Sequence, residues 1–417
     1  MEHRTGRLIG AVLALAAMLS VPTAGQAPKP RARDLGVPFI GMPGPLNAIT
    51  DVRGVTVGHT TIIKDLRSDA AAAVAVRTGV TAVLPRGLDS IVRPAFGAWF
   101  SQNGNGEMTG TAWIDESGFI EGPILITNTH SVGVVRDATI KWLLARQKSL
   151  GAQVWWGLPV VAETWDGWLN DINGFHVEDE HAFQALETAA GGRVTEGSVG
   201  GGTGMICYGF KGGIGTASRT VKVGEAAYTL GVLLQANFGG RRQLTVAGVP
   251  VGLELSDRPA YDGLDDPLAD RGSVIVVVGT DAPLLPHQLK RLARRVTMGL
   301  ARTGSVSGNS SGDLFVAFST ANAAACRPDG LSQAETLGND LLDPIFEAVV
   351  QATEEAVINA LVAGETMIGQ GGHRVVALPH DRLQDVLRRY NRLVLPSRPE
   401  TPHHSSGKHL ALTDPAV

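Results

Sequence analysis

From Ile49 onward the chain runs in short apolar stretches broken by glycine: Val55–Val57, Val80–Leu84, Ile124–Thr127 and Val154–Val161. Runs of this length, bounded by turn-forming residues, predict strands. Between them, Val135–Lys148 and His181–Ala190 have the wider spacing of helices. Leu253–Arg271 breaks the pattern with Asp257, Asp262, Asp265, Asp266 and Asp270, and predicts a long loop or insertion. Val274–Val278 is wholly apolar and β-branched, as a fully buried strand requires. Pro283–Leu300 then has helical spacing with Lys290, Arg291, Arg294 and Arg295. A polar loop, Gly304–Asp313, follows, and Leu314–Phe318 predicts another strand. Asp343 and Pro344 open a second long helix with apolar positions at Phe346, Val349, Val350, Val357, Ala360 and Leu361. Asp suits an N-cap and Pro the first helical position. Strands and helices in mixture predict an α/β protein with layered sheets, and no internal repeat is visible.

The two ends differ from this body. His3, Arg4 and Arg7 precede an apolar run, Leu8–Val21, and then small residues up to Ala27. That order predicts a signal peptide over 1–27 and an exported, periplasmic or secreted protein; a retained membrane anchor is the alternative. Residues 28–43 are rich in Pro and Arg and read as a linker or arm. From Pro396 to the end, Pro, His and Ser dominate and predict a disordered tail, leaving 44–395 as a single domain.

With 44% hydrophobic and 18% charged residues, the chain has material for a large core. Its 52 glycines suggest many tight turns and close backbone approaches. The formal charge of −4 and the lack of a long basic run argue against nucleic acid as a partner. Cys207 and Cys326 could pair in an oxidising compartment or remain buried thiols. No CxxC or Cys/His cluster suggests zinc, and no cofactor is expected. The Gly-rich stretch 200–215 lacks the spacing of a phosphate loop and reads as tight turns.

The chemistry concentrates in the polar loop. Gly308-Asn-Ser310-Ser-Gly312 matches the G-x-S-x-G nucleophile elbow, with Ser310 as nucleophile. That elbow needs a strand before the serine and a helix after it; here the order is helix, loop, strand. A hydroxyl at the entry of a strand, after a flexible loop, is instead the layout of an N-terminal-nucleophile hydrolase. In such an enzyme Ser311 attacks its own preceding carbonyl, the ester hydrolyses, and the freed α-amine, with a pKa near ~8, serves as a base. On the loop alone, an ordinary Gly/Ser turn between helix and strand is the better reading.

Several longer motifs accompany it: Asn47-Ala-Ile-Thr-Asp-Val-Arg-Gly-Val-Thr-Val-Gly-His59, Gly122-Pro-Ile-Leu-Ile-Thr-Asn-Thr-His-Ser-Val-Gly133, Gly209-Phe-Lys-Gly-Gly-Ile-Gly-Thr216, Thr280-Asp-Ala-Pro-Leu-Leu-Pro-His-Gln-Leu289, and Ser311-Gly-Asp313 with Ala317-Phe-Ser-Thr-Ala-Asn322. Together, over about residues 44–380, they resemble the L-aminopeptidase D-esterase/β-peptidyl aminopeptidase family, often called the DmpA family. The resemblance implies a four-layer αββα sandwich and self-cleavage between Ser310 and Ser311. The products would be an α chain of 28–310 and a β chain of 311–417, assembled as a tetramer of such pairs.

It further implies roles for individual residues. Glu163, in Val-Ala-Glu-Thr, would hold the substrate ammonium. Trp165 stands where many members carry Tyr; it keeps an aromatic wall but replaces O–H by N–H. Asn237, in Gln235-Ala-Asn-Phe-Gly239, matches an oxyanion-hole Asn. Thr353 and Glu355, in Ala352-Thr-Glu-Glu-Ala356, match a supporting hydroxyl and carboxylate. On a regular helix, however, Glu355 lies about 200° from Thr353 and Glu354 about 100°, so Glu354 stays an alternative. The expected activity is metal-free release of the N-terminal α- or β-aminoacyl residue from short peptides, amides or esters through an acyl-enzyme on Ser311. A self-cleaving acyltransferase of the ornithine-acetyltransferase type and a non-enzymatic exported binding protein are the competing readings.

Overall fold

The computed structural model describes residues 29–69, 73–151, 155–256, 272–327 and 329–394. The expected signal peptide, the tail from Pro396 and most of the aspartate-rich insertion lie outside these residues. The strands positioning the site are β1 (Thr56–Arg67), β2 (Val74–Leu88), β3 (Ala95–Gly104), β4 (Phe119–Ile120), β5 (Ile124–Asn128), β6 (Val160–Thr164), β7 (Ile206–Cys207), β8 (Phe210–Lys211), β9 (Gly213–Val223), β10 (Ala226–Asn237), β11 (Ser273–Thr280) and β12 (Gly312–Ser319). The principal helices are α1 (Thr111–Ser117), α2 (Val132–Ser149), α3 (Asp179–Glu187), α4 (Val251–Glu254), α5 (Pro286–Arg302) and α6 (Asp343–Ala363).

Two sheets face each other, one ordered β1-β2-β5-β6 and the other β4-β3-β12-β11-β10-β9. The alternation of side chains along a strand sorts each sheet into two faces. In β11, Ile275 and Val277 join Ile124, Ile126 and Ala162 of the opposite sheet, whereas Val274, Val276 and Val278 face α5 and α6. In β2, Val83 faces between the sheets, while Val76, Val80, Ala82 and Leu84 pack with Val135 and Trp142 of α2 and Ala182 of α3. Three apolar layers thus separate four structural layers, the αββα sandwich expected for an N-terminal-nucleophile hydrolase.

Boundaries differ where glycine and proline interrupt apolar runs. The strand expected over 154–161 starts only at Val160, because Pro159 has no N–H to give a ladder. The helix expected from Pro283 begins at Pro286, a position where the missing N–H costs nothing. Asp343 lies inside α6 rather than at its cap. Residues 29–48 are docked on the body, with Ala32 and Val37 buried in the helix-side core. Among the described residues neither cysteine forms a disulfide, with Cys207 buried and Cys326 half-buried. In the Gly-rich stretch, the buried Lys211 ammonium donates to the carbonyls of Met205 at 2.9 Å and Gly212 at 3.0 Å, so it ties the turns together internally.

β11, α5 and β12 form a parallel β-α-β unit, with Ser273 opposite Gly312. This places the entry of β12 in the middle of the six-stranded sheet, between β3 and β11. On the helix side the packing is close. A Cβ on Gly215 would lie 2.0 Å from the Ala356 carbonyl oxygen of α6. Gly133, on the exposed side of α2, has nothing within 4 Å of the same position. Gly215→Ala is therefore expected to cost at least about 1–3 kcal/mol through forced backbone shifts. Gly133→Ala should gain about 0.5–1 kcal/mol from helix entropy; paired urea melts check the opposite signs.

Candidate active site

The loop 304–311 returns the chain from α5 to β12. Its last residues form a turn closed by the Ser311 N–H on the Gly308 carbonyl at 2.9 Å. Asn103, at the end of β3, donates its side-chain amide to the Gly308 carbonyl at 2.6 Å. Two residues on, the Asn105 amide donates to the Ser310 carbonyl at 2.7 Å. β3 takes an extra residue against β12 between Asp313 and Leu314, a bulge of the kind that re-aims side chains.

Ser311 is fully buried, and Ser310 is exposed. The Ser311 hydroxyl donates to Asp313 Oδ1 at 2.6 Å. Residues i and i+2 of an extended chain share a side, so the Ser-Gly-Asp spacing makes this contact locally. Gly312 has no room for a side chain: a Cβ there would meet the Asn105 carbonyl oxygen at 2.4 Å and the Gly106 Cα at 2.9 Å.

Glu163 closes the other wall. It is the penultimate residue of β6, 3% exposed, where Oε1 accepts from the Glu107 N–H at 3.0 Å and Oε2 from the Thr129 hydroxyl. Burial pushes its pKa above the usual carboxylate range, against the opposing effect of the Thr129 and Glu107 hydrogen bonds. Gly106 stands between this carboxylate and the strand entry. A Cβ on Gly106 would lie 3.2 Å from both Glu163 Oε1 and the Gly312 Cα, so those two atoms are within about twice that distance of each other. Asn237 ends β10 opposite Ser273, which in turn pairs with Gly312. Its amide donates to the Trp165 carbonyl at 2.8 Å, and its Oδ1 accepts from the Ile206 N–H at 2.8 Å. The Trp165 ring lies over Gly167 and is half exposed. Nearby, His130, next to Thr129, stacks on exposed Phe175 at 6.0 Å. Ser311, Glu163, Asn237 and Trp165 thus gather around one end of the sandwich.

Thr353 and Glu355 do not join them through any hydrogen bond among the described residues. They leave α6 on different sides, as their angular separation requires. Thr353 packs against Gly299 of α5, its hydroxyl buried and without a hydrogen-bond partner among the described residues. The fully buried Glu355 carboxylate is taken up by Arg33 at 2.7 and 2.8 Å, Arg219 at 2.7 Å and Asn47 at 2.6 Å. Burial alone would raise its pKa, but the two guanidinium groups and Asn47 hold it below the ordinary range. Glu354 pairs with Arg302 at 3.1 Å. Asp313 and Asn105, which the sequence reading did not single out, contact the serine and the bond before it. The period-2 spacing of Ser311 and Asp313 is a signal that finds the first; no local signal finds Asn105. Among the described residues no group of three or more His, Cys, Asp or Glu is placed to hold a metal, and no helix is long and apolar enough to cross a membrane.

A serine at the entry of a central strand, between two facing sheets each backed by helices, defines the class of N-terminal-nucleophile hydrolases. Residues 47–375 match peptidase family S58, and the chain belongs to that family. It is similar to the β-peptidyl aminopeptidases BapA of Sphingosinicella microcystinivorans (54% identity, 91% of this chain and 97% of the relative) and Sphingosinicella xenopeptidilytica (44%, 92% and 98%). Among solved structures it resembles the L-aminopeptidase D-Ala-esterase/amidase of Ochrobactrum anthropi, described as a prototype of the serine aminopeptidases and a variant of the Ntn hydrolase fold. That match has a TM-score of 0.82 at 49% identity and covers 88% of this chain and all of that one. A Burkholderia β-aminopeptidase aligns with a TM-score of 0.77 at 46% identity, covering 86% and 98%. The family expected from the motifs is therefore the right one. The chain is a self-processing serine aminopeptidase, and these relatives support neither the acyltransferase nor the binding-protein alternative.

Removing the Glu355 charge leaves the buried Arg219 guanidinium and the partly exposed Arg33 without their carboxylate, and losing one partner of a buried pair typically costs about 3–5 kcal/mol. Glu355→Gln should lower the melting temperature while Glu354→Gln, at a partly exposed pair, barely moves it. The pH dependence has a fixed sign. A carboxylate with a depressed folded pKa contributes stability above its unfolded value, and that contribution is lost as pH falls through the folded value. Acid titration of the melting temperature should therefore show the Glu355 contribution fading from the ordinary carboxylate range downward as pH falls towards its lowered folded value, and absent from Glu355→Gln.

Proposed function

We propose that the chain cuts itself between Ser310 and Ser311 and then uses Ser311 to release N-terminal β-aminoacyl residues from short peptides and amides. The buried serine at the strand entry, its hydroxyl already on a carboxylate, is the observation that carries this reading. Ser311 attacks the substrate carbonyl, its new α-amine moves protons, and water or another amine resolves the acyl-enzyme. Glu163 holds the substrate ammonium, as a buried cation needs a paired anion. Asn237 faces the developing oxyanion with its amide, and Trp165 lines the rim. A β-residue carries one more methylene between amine and carbonyl than an α-residue, so the span from Glu163 to Ser311 sets the preference. The likeness to two β-peptidyl aminopeptidases over nearly their whole lengths supports the longer span.

The mature enzyme, in this reading, is a tetramer of cleaved pairs. The basic residues and apolar run before Ala27 support export to the periplasm or beyond. Light scattering that returns the mass of one pair, or a protein retained in the cytoplasm, removes those two parts.

Ser311→Ala should remain one full-length chain on a denaturing gel and lack activity; cleavage in that variant places the nucleophile elsewhere. With matched β-alanyl and L-alanyl amides, the parent should have the higher kcat/KM on the β-substrate, and the reverse order rejects the β-preference. Because the Glu163 pKa is raised, ammonium binding should fail as pH falls through a value above the usual carboxylate range. The acid limb of kcat/KM should sit there, and Glu163→Gln should flatten it while raising KM by about tenfold or more.

A further inference from the structure

We propose that self-cleavage and substrate turnover use different oxyanion donors: Asn105, with Asp313 as base, serves the cut, and Asn237 serves only the later turnover. The proposal rests on Ser311 being the nucleophile. The carbonyl of the bond to be broken belongs to Ser310, and the Asn105 amide donates to that oxygen at 2.7 Å in the uncut chain. Asn103 and the Ser311 N–H both hold the Gly308 carbonyl, so the turn is fixed and the Ser310 carbonyl is turned toward Asn105. A donor already on the oxygen strengthens as negative charge develops there.

Asn237 is engaged elsewhere in the same state. Its amide is on Trp165 and its Oδ1 takes the Ile206 N–H. It also stands on the other side of the sheet. Asn237 shares its face with Leu233 and Gln235, the face between the sheets, and Leu233 belongs to that core. Asp313 shares its face with Phe315 and Ala317, which face the helices. The hydroxyl held by Asp313 is therefore drawn away from the Asn237 face.

The steps balance. Asp313 takes the Ser311 hydroxyl proton as Oγ bonds to the Ser310 carbonyl carbon. The carbonyl electron pair moves onto the oxygen facing Asn105. When the pair returns, the C–N bond breaks and the proton passes from Asp313 to the Ser311 nitrogen, leaving an ester. Water then splits the ester, giving a carboxylate at Ser310 and a free hydroxyl and amine at Ser311. Thereafter Asn105 has no reacting carbonyl, and Ser311 is released to face substrate.

The test follows self-cleavage of full-length chains on denaturing gels, with hydroxylamine added to capture any ester. Asn105→Ala and the isosteric Asn105→Asp should cut at least about 100-fold more slowly, the usual loss for one oxyanion donor. Asp313→Asn should slow similarly, and its residual cut should accelerate as pH rises, because solvent base replaces the carboxylate. Asn237→Ala should cut at the parental rate, while its mature pair turns over a β-alanyl amide at least about 100-fold more slowly. Parental cutting in both Asn105 variants removes Asn105, and parental or pH-independent cutting in Asp313→Asn removes the base. An uncut Asn237→Ala chain with the melting temperature of uncut Ser311→Ala returns the donor role to Asn237. Only a Ser311→Ala chain that still cuts overturns the underlying nucleophile. Melting temperatures matched to uncut Ser311→Ala separate slow chemistry from misfolding, and the isosteric variants serve where Asn105→Ala fails to fold.

Discussion

Gly312 has room for no side chain because the Asn105 carbonyl and Gly106 occupy the space where its Cβ would stand. That crowding organises the site. It seats the end of β3 on the entry of β12, and so brings the Asn105 amide to the Ser310 carbonyl. It also leaves Gly106 as the thin partition between the Glu163 carboxylate and the strand. The register Asn237, Ser273, Gly312, Gly104 across four neighbouring strands then sets Asn237 level with the entry of β12. Strands hold Glu163, Asn237 and Asp313, while Ser311, Asn105 and Trp165 stand just beyond strand ends, fixed by the elements they adjoin.

A second constraint acts on the far side of the same sheet. Glu355, fully buried, is worth little as an isolated charge and is tolerated because four donors from three segments converge on it. Two of those segments are the arm at Arg33 and the turn at Asn47, so the carboxylate is what docks residues 29–48 against α6. Arg31 extends the contact, pairing with Glu196 at 2.8 Å. The Pro- and Arg-rich arm is thus part of the body.

The central strands were readable because they are buried on both faces: Val274–Val278 and Leu314–Phe318 are unbroken apolar runs. The flanking strands were not. β9 mixes Ser218, Arg219, Thr220 and Lys222 with its apolar residues, and its buried Arg219 makes sense only beside Glu355. Ser311, Glu163 and Asn237 could be found from motifs, and Asp313 from a spacing of two. Asn105 lies 205 residues from its partner, a contact that no local pattern encodes. The trouble with Thr353 and Glu355 was visible as an angle on a helical wheel. Its resolution, an arm folded back across more than 300 residues, was not: Arg33 and Glu355 are 322 apart.

β12 lies between β3 and β11, so on the proposed cut before Ser311 a strand of one product is flanked on both edges by strands of the other. The mature pair is one fold shared by two molecules. Before cleavage, finding β12 is a loop closure within one chain; afterwards, a denatured pair must find each other by diffusion, without that effective concentration. Maturation therefore exchanges reversible folding for persistence. The working enzyme survives through the height of its unfolding barrier, and a molecule that crosses it has lost the covalent route by which it was assembled.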